Sequence, residues 1–343
     1  LRQGDWKAVL ASINAMDDAK NDATWIYWKA RAQLSTAPTE VQREEAQLAL
    51  KSIAGVKGFY EQLALEELGQ TITAPAKPAP LTATEKSAAH QNTGLQRALT
   101  ALSLGLRSEG NREWNYSTNL HTPGGMNERE LLAAADLACS KQVWDRCINT
   151  SDRTKTQIDF DQRFPMPLKE TVLRKSKDVQ LDPAYVYGLI RQESRFVMDA
   201  KSVVGAAGLM QVMPATAKWT AKKIGLTNFQ VPQLNEHETN VTIGTGYLKL
   251  VLDDFDGSMP LAAAAYNAGP SRSRAWRKGP VLEAAIWAEN IPFNETRDYV
   301  KKVLSNTTNY AAIITGQPQS LKARLGTVGP RNSQAPEENA DLP

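Results

Sequence analysis

Histidine and cysteine are scarce: His90, His121 and His237, with Cys139 and Cys147, are all that 343 residues contain. None of the histidines stands at ligand spacing from another or from a cysteine, so no metal centre is expected, and no other cofactor motif is present. A run of about 18 apolar residues is also missing, which argues against a membrane span. Charge of one sign is missing too. With 40 basic and 37 acidic side chains the net charge is +3, which makes no case for nucleic acid but would tolerate an acidic polymer. The chain starts at Leu1, and no charged-then-apolar signal segment precedes Trp6, so it reads as a processed or truncated product whose compartment is not written in its N-terminus.

The two cysteines lie eight apart. On one straight helix that spacing spans about 12 Å, too far for a disulfide, so a bridge requires a turn near Lys141 and Gln142. Two small buried thiols in helix interiors fit the same residues equally well.

With 42% hydrophobic residues, the chain has the composition of a globular protein of two or three domains. Its periodicity is helical nearly throughout. Over residues 1–70, Trp6, Val9, Leu10 and Ile13 form one stripe, and Trp25, Tyr27, Trp28, Ala32 and Leu34 supply bulk to the next, as in an irregular stack of helical hairpins. Residues 71–86, TITAPAKPAPLTATEK, lack apolar periodicity and read as a flexible joint. A second helical region, 71–165, carries helices at Thr93–Arg107 and Asn127–Ser151. Between them, NREWNYSTNLHTPGG reads as a loop anchored by Trp114 and Tyr116. Phe164-Pro165-Met166-Pro167 marks a boundary, and residues 166–316 are again helical. Beyond Gln317 the composition predicts a disordered tail over 317–343.

The richest stretch is Asp182–Pro214. Asp182 and Pro183 form a helix start, and the spacing predicts a helix over Pro183–Phe196. Val186, Ile190 and Val197 share one face of it, with Glu193 in the same stripe. A carboxylate turned toward a core holds its proton more tightly and suits general acid chemistry. A buried ion pair with Arg191 or Arg195 would explain it as well. Gly205-Ala206-Ala207-Gly208 then lets a backbone or ligand approach closely, before Leu209-Met210-Gln211-Val212-Met213-Pro214 opens a new segment.

Four motifs in order, Glu193-Ser194, Gly205 to Pro214, Ala265-Tyr266-Asn267-Ala268-Gly269-Pro270, and Ile291 to Val300 (IPFNETRDYV), resemble those of the soluble lytic transglycosylases. GVKGFYEQLALEELG, ending at Gly69, is similar to the close of the helical superhelix that precedes their catalytic domain. The resemblance implies a mainly all-α chain: the C-terminal part of a superhelix at 1–70, a helical linker region at 71–165 and a lysozyme-like catalytic domain at 166–316. It further implies a periplasmic enzyme whose partners are peptidoglycan glycan strands and other cell-wall enzymes. Outer-membrane association through a segment outside this chain is compatible with it.

Glycosidic cleavage ordinarily uses two carboxyl groups. No acidic neighbour of Glu193 stands at a spacing that suggests a dyad, which favours one acid acting twice. The resemblance implies that Glu193 protonates the leaving oxygen and then takes the proton of the sugar's own C6 hydroxyl, closing a 1,6-anhydro ring. It also implies substrate-binding roles for Ser202, Gln211, Met213, Tyr266, Asn267, Glu295 and Tyr299. Core packing is the competing reading for Met213, and an ordinary solvated helix start for Glu295. A muramidase that admits water, and a non-catalytic wall-binding scaffold, are the alternatives on the same sequence.

Overall fold

Helix starts are written locally, by side chains that accept the unpaired N–H groups of a first turn. Asp5, Asp22, Asn92, Asp159 and Ser320 do this, and Thr39, Thr82 and Asn127 form reciprocal capping boxes with Gln42, Glu85 and Glu130. The computed structural model describes residues 1–17, 22–119, 125–332 and 338–343. His121 of the sequence reading lies outside them. The helices are α1 (Trp6–Asn14), α2 (Ala23–Ser35), α3 (Glu40–Ile53), α4 (Phe59–Glu67), α5 (Ala83–Gln91), α6 (Thr93–Ser103) and α7 (Arg107–Ser117). Next come α8 (Glu128–Ser140), α9 (Trp144–Ser151), α10 (Phe160–Arg163), α11 (Lys169–Asp178), α12 (Pro183–Glu193) and α13 (Pro214–Lys223). The last are α14 (His237–Asp254), α15 (Met259–Ala268), α16 (Pro270–Trp276), α17 (Ala284–Glu289), α18 (Asn294–Thr315) and α19 (Leu321–Leu325). Strands β1 (Leu282–Glu283) and β2 (Thr327–Val328) pair antiparallel, Leu282 opposite Val328. The expected all-α class holds.

Two compact units result: Leu1–Ala74, Glu170–Gln192 and Lys201–Pro343 form one, Pro75–Lys169 and Glu193–Ala200 the other. In the first, α2 packs on α1, α3 and α4, around the buried rings of Tyr27, Trp28 and Tyr60. Helix α4 also packs on α18 and α19, so residues 1–70 share a core with 201–343. Helix α18 is the axis of that core, buried along most of its length from Tyr299 to Ala312. Gly188 lets α12 reach it: a Cβ there would lie 2.8 Å from the Thr307 amide nitrogen and 2.9 Å from the Val303 carbonyl oxygen. The rings of Tyr187 and Tyr310 stack beside this crossing.

In the second unit, α5, α6, α8 and α9 close over Leu95, Trp114, Ala134, Leu137 and Cys147. The loop expected from Asn111 onward is instead the second half of α7, because α6 already ends at Ser103 and the chain re-enters helix at Arg107. Trp114 is fully buried, its Nε1 donating to Thr150 Oγ1 at 2.9 Å, whereas Tyr116 points to solvent. A turn at Lys141–Val143, with Gln142 in the left-handed region, brings the Cα atoms of Cys139 and Cys147 to 5.1 Å, and a disulfide joins them.

The disorder expected after Gln317 is corrected, and the stretch 71–86 carries anchors of its own. Within the supposed joint, Ile72 is completely buried and exchanges backbone hydrogen bonds with Gln319, and Thr82 caps α5. The segment after Gln317 is likewise structured, with α19, β2, an Arg324–Asp182 ion pair at 2.7 Å and a buried Leu342. Composition missed both because each segment is held by partners far away in sequence. Residues 333–337 of the predicted tail lie outside the described residues.

Candidate active site

Helix α12 is apolar from Ala184 to Ile190 and ends at Glu193. The helix predicted to reach Phe196 stops three residues earlier, since Arg195 and Phe196 both take left-handed φ angles, 46° and 62°. Val197 therefore lies beyond the helix. The stripe beneath Glu193 consists of Val186 and Ile190, both buried, and Glu193 itself is half-buried. Two successive non-glycine residues in this region are uncommon and cost energy, which is typical of functional turns. The position at the C-terminal end of α12 adds the negative end of the helix dipole, which disfavours a second negative charge. The Ser194 hydroxyl accepts from the Phe196 amide at 3.1 Å and braces the turn. Glu193 groups with residues 194–200 in the second unit.

The small-residue run forms a compact ladder in the first unit. Lys201 bridges Ala207, and Ala207 bridges Val212. The Ser202 hydroxyl accepts from the Ala206 amide at 2.9 Å, so it closes its own loop. Gly208 has φ +74°, and a side chain there would collide with the amide of Asn240. Asn240, on α14 and 1% exposed, staples the loop. Its Oδ1 accepts from Met210 N, and its Nδ2 donates to Ala207 O and Leu234 O, each at 2.9 Å. Gln211 is half-exposed with φ 46°, and its Nε2 donates to Gly208 O at 2.7 Å. Met213 is 39% exposed ahead of α13, so core packing does not account for it.

Tyr266, at the end of α15, donates from its hydroxyl to Met210 O at 2.9 Å, and its ring lies 5.4 Å from that of Tyr247. Asn267 bridges to α18: its Nδ2 donates to Glu295 Oε1 at 3.2 Å, and its Oδ1 accepts from Thr296 Oγ1 at 2.6 Å. Gly269, at φ +92°, turns the chain directly afterwards into α16. Glu295 is exposed, while Tyr299, one turn further along α18, is buried. Tyr266 thus ties α15 to the loop carrying Gln211, and its neighbour Asn267 ties α15 to Glu295 and Thr296 of α18. Ser202 and Met213 lie on the stretch from Lys201 to Pro214 that carries Gln211, and Tyr299 lies one turn beyond Glu295 on α18. Sequence reasoning missed Asn240 and Thr296. Each sits on an otherwise ordinary helix turn, and nothing local marks a polar side chain that is used elsewhere.

Among the described residues no group of three or more His, Cys, Asp or Glu side chains could hold a metal ion. No helix among them is long and apolar enough to cross a membrane.

Known proteins resemble the chain in sequence and fold. Residues 170–284 match the transglycosylase SLT domain, and residues 290–319 match the soluble lytic transglycosylase helical domain. A soluble lytic murein transglycosylase of Salmonella typhimurium is 33% identical over 307 residues, covering 89% of this chain and 46% of that protein. The counterpart of Escherichia coli K12 is 31% identical over 309 residues, again 89% and 46%. Among solved structures, an inactive mutant of the lytic transglycosylase Slt from Pseudomonas aeruginosa superposes with a TM-score of 0.80 at 33% identity, covering 93% of this chain and 51% of that one. The chain therefore spans about half the length of the relatives it matches. On this likeness of sequence and fold, the chain is homologous to the soluble lytic murein transglycosylases, with residues 170–284 matching their SLT domain.

Proposed function

We propose that the chain cleaves the β-1,4 linkage between MurNAc and GlcNAc in peptidoglycan and leaves a 1,6-anhydroMurNAc end. The observation that carries this reading is Glu193, half-buried at the dipole-negative end of an apolar helix and followed by a strained turn. Its neutral carboxyl donates a proton to the departing GlcNAc O4 while the C1–O4 bond breaks. The substrate's own N-acetyl group supports the positive charge that develops at C1. The Glu193 carboxylate then accepts the C6 hydroxyl proton, and O6 bonds to C1. The candidate residues include one other carboxylate, Glu295, which is engaged by Asn267 and is better suited to binding than to attack. Gln211, Tyr266, Asn267 and Glu295 offer hydrogen-bonding groups to the sugars, Met213 an apolar contact, and Ser202 and Tyr299 shape the surrounding wall. Such an activity places the protein in the periplasm, with glycan strands as its partner.

The test is a digest of purified sacculi by the parent and by Glu193→Gln, analysed by mass spectrometry. The parent should release anhydro muropeptides, lighter by one water than reducing ends, and the variant should release none while still binding glycan. Reducing MurNAc ends from the parent would make it a muramidase, and activity in the variant would remove Glu193 from the chemistry.

A further inference from the structure

Helix α18 presents Glu295 and Thr296 in its first turn and Tyr299 in its second, yet its N-cap is Phe293, which offers no side-chain cap. Asn267 of α15 holds the first turn through Glu295 and Thr296, and further anchors act from beyond it. The Arg297 guanidinium donates to Ile291 O at 2.8 and 3.1 Å, which ties the turn only to its own lead-in. A longer reach comes from Lys301, whose ammonium donates at 2.8 Å to Glu289, the last residue of α17. Both side chains are nearly out of water, at 13% and 8% exposure. The Tyr60 hydroxyl of α4 also donates to Glu289, and Lys301 sits 5.4 Å over the Tyr60 ring. Trp28 Nε1 of α2 in turn donates to the Tyr60 oxygen at 3.1 Å. Burial pushes the Tyr60 phenol well above its ordinary value, so it stays protonated and remains a donor.

A buried ion pair is a poor way to gain stability, since apolar residues of similar volume usually do as well or better. What it supplies is direction. We propose that Glu289 and Lys301, oriented by Tyr60, are positioning residues that set the first two turns of α18, and with them Glu295 and Tyr299. Helices α2 and α4 are then part of the working catalytic body. The inference rests on the function proposed above.

The experiment uses the full chain carrying Glu289→Gln and Lys301→Met together, which removes both charges of the pair while exposed Asp298, 3.6 Å from Lys301, keeps Lys302 at 3.9 Å, and compares it with Lys301→Arg, which keeps the pair. Turnover is measured on solubilised glycan strands, with amide exchange across residues 295–299 and thermal unfolding in parallel. The double variant should melt close to the parent but show faster exchange at 295–299 and a KM raised about tenfold, with kcat changed much less. Lys301→Arg should restore KM. A double variant with parental exchange and parental KM overturns the proposal, and so does one whose KM loss merely follows a lowered Tm. An inactive parent instead defeats the function reading, and the exchange comparison still decides whether the pair positions α18.

Discussion

Asn240 is the most informative single position to perturb, because one buried side chain holds three backbone groups of the glycine-rich loop. Replacing it with Ala leaves the Met210 N–H and the carbonyls of Ala207 and Leu234 without their partner. Each lost hydrogen bond costs about 1 kcal/mol and each stranded buried group somewhat more, so Asn240→Ala should cost about 3–5 kcal/mol in all. Asn240→Asp is the sharper test. The shape is kept and the Met210 N–H retains an acceptor, but a carboxylate now faces two carbonyl oxygens inside the protein. Desolvation and those carbonyls raise the folded-state pKa of the new acid above its unfolded value of about 3.9. The folded state then binds more protons, so the variant is most stable below about pH 4 and loses stability as pH rises through the folded pKa. Each unit of elevation removes about 1.4 kcal/mol. Urea unfolding of parent and variant between pH 4 and 8 reads this directly. A difference that stays flat across that range, or an Asn240→Ala cost below about 1 kcal/mol, would refute the staple. Tyr266 also leans on Met210 O, so glycan turnover should fall in both variants.

Gly188→Ala gains intrinsic helix propensity of about 1 kcal/mol but drives a Cβ into the backbone of α18, and should be net destabilising by about 1–3 kcal/mol by thermal or denaturant unfolding. Replacing Cys139 and Cys147 together by Ala removes a crosslink of sequence separation 8. Loop-closure entropy puts the loss at about 2.5 kcal/mol, visible as a lower urea midpoint of the second unit. Glu128 accepts from the Thr156 hydroxyl and from the amides of Lys155, Thr156 and Gln157, which hold its carboxyl down to about 2 against the opposing effect of burial. A depressed carboxyl contributes stability above its ordinary pKa of 4.5 and loses it as pH falls toward 2. Amide protection at residues 154–157 should therefore fade over that acid range in the parent, and Glu128→Gln should remove that pH dependence.

Most helices between Lys169 and Thr315 were legible because their signals are local: Pro183, Pro214 and Pro270 at helix starts, Gly316 after α18, and apolar stripes between. The site motifs were legible for a related reason, since a turn at Gly208 or Gly269 demands glycine wherever it occurs. The end of α12 was not, because Arg195 and Phe196 are ordinary residues whose left-handed conformation only surrounding structure can impose. The Cys139–Cys147 bridge stood between two readings until the turn at Gln142 was seen.

What the sequence by itself determined is thus the helical class, the placement of most elements around the site and the candidate acid, all consequences of spacing and of residues with narrow conformational range. Tertiary structure decided that residues 1–74 share a core with 201–343, that Ile72 and the segment after Gln317 are ordered, that Asn240 holds the loop of Gly208, and that Tyr60 reaches Glu289. Those outcomes depend on partners from 30 to almost 250 residues apart, as in Met210–Asn240 and Ile72–Gln319, and no local pattern encodes a hydrogen bond whose other half is that distant.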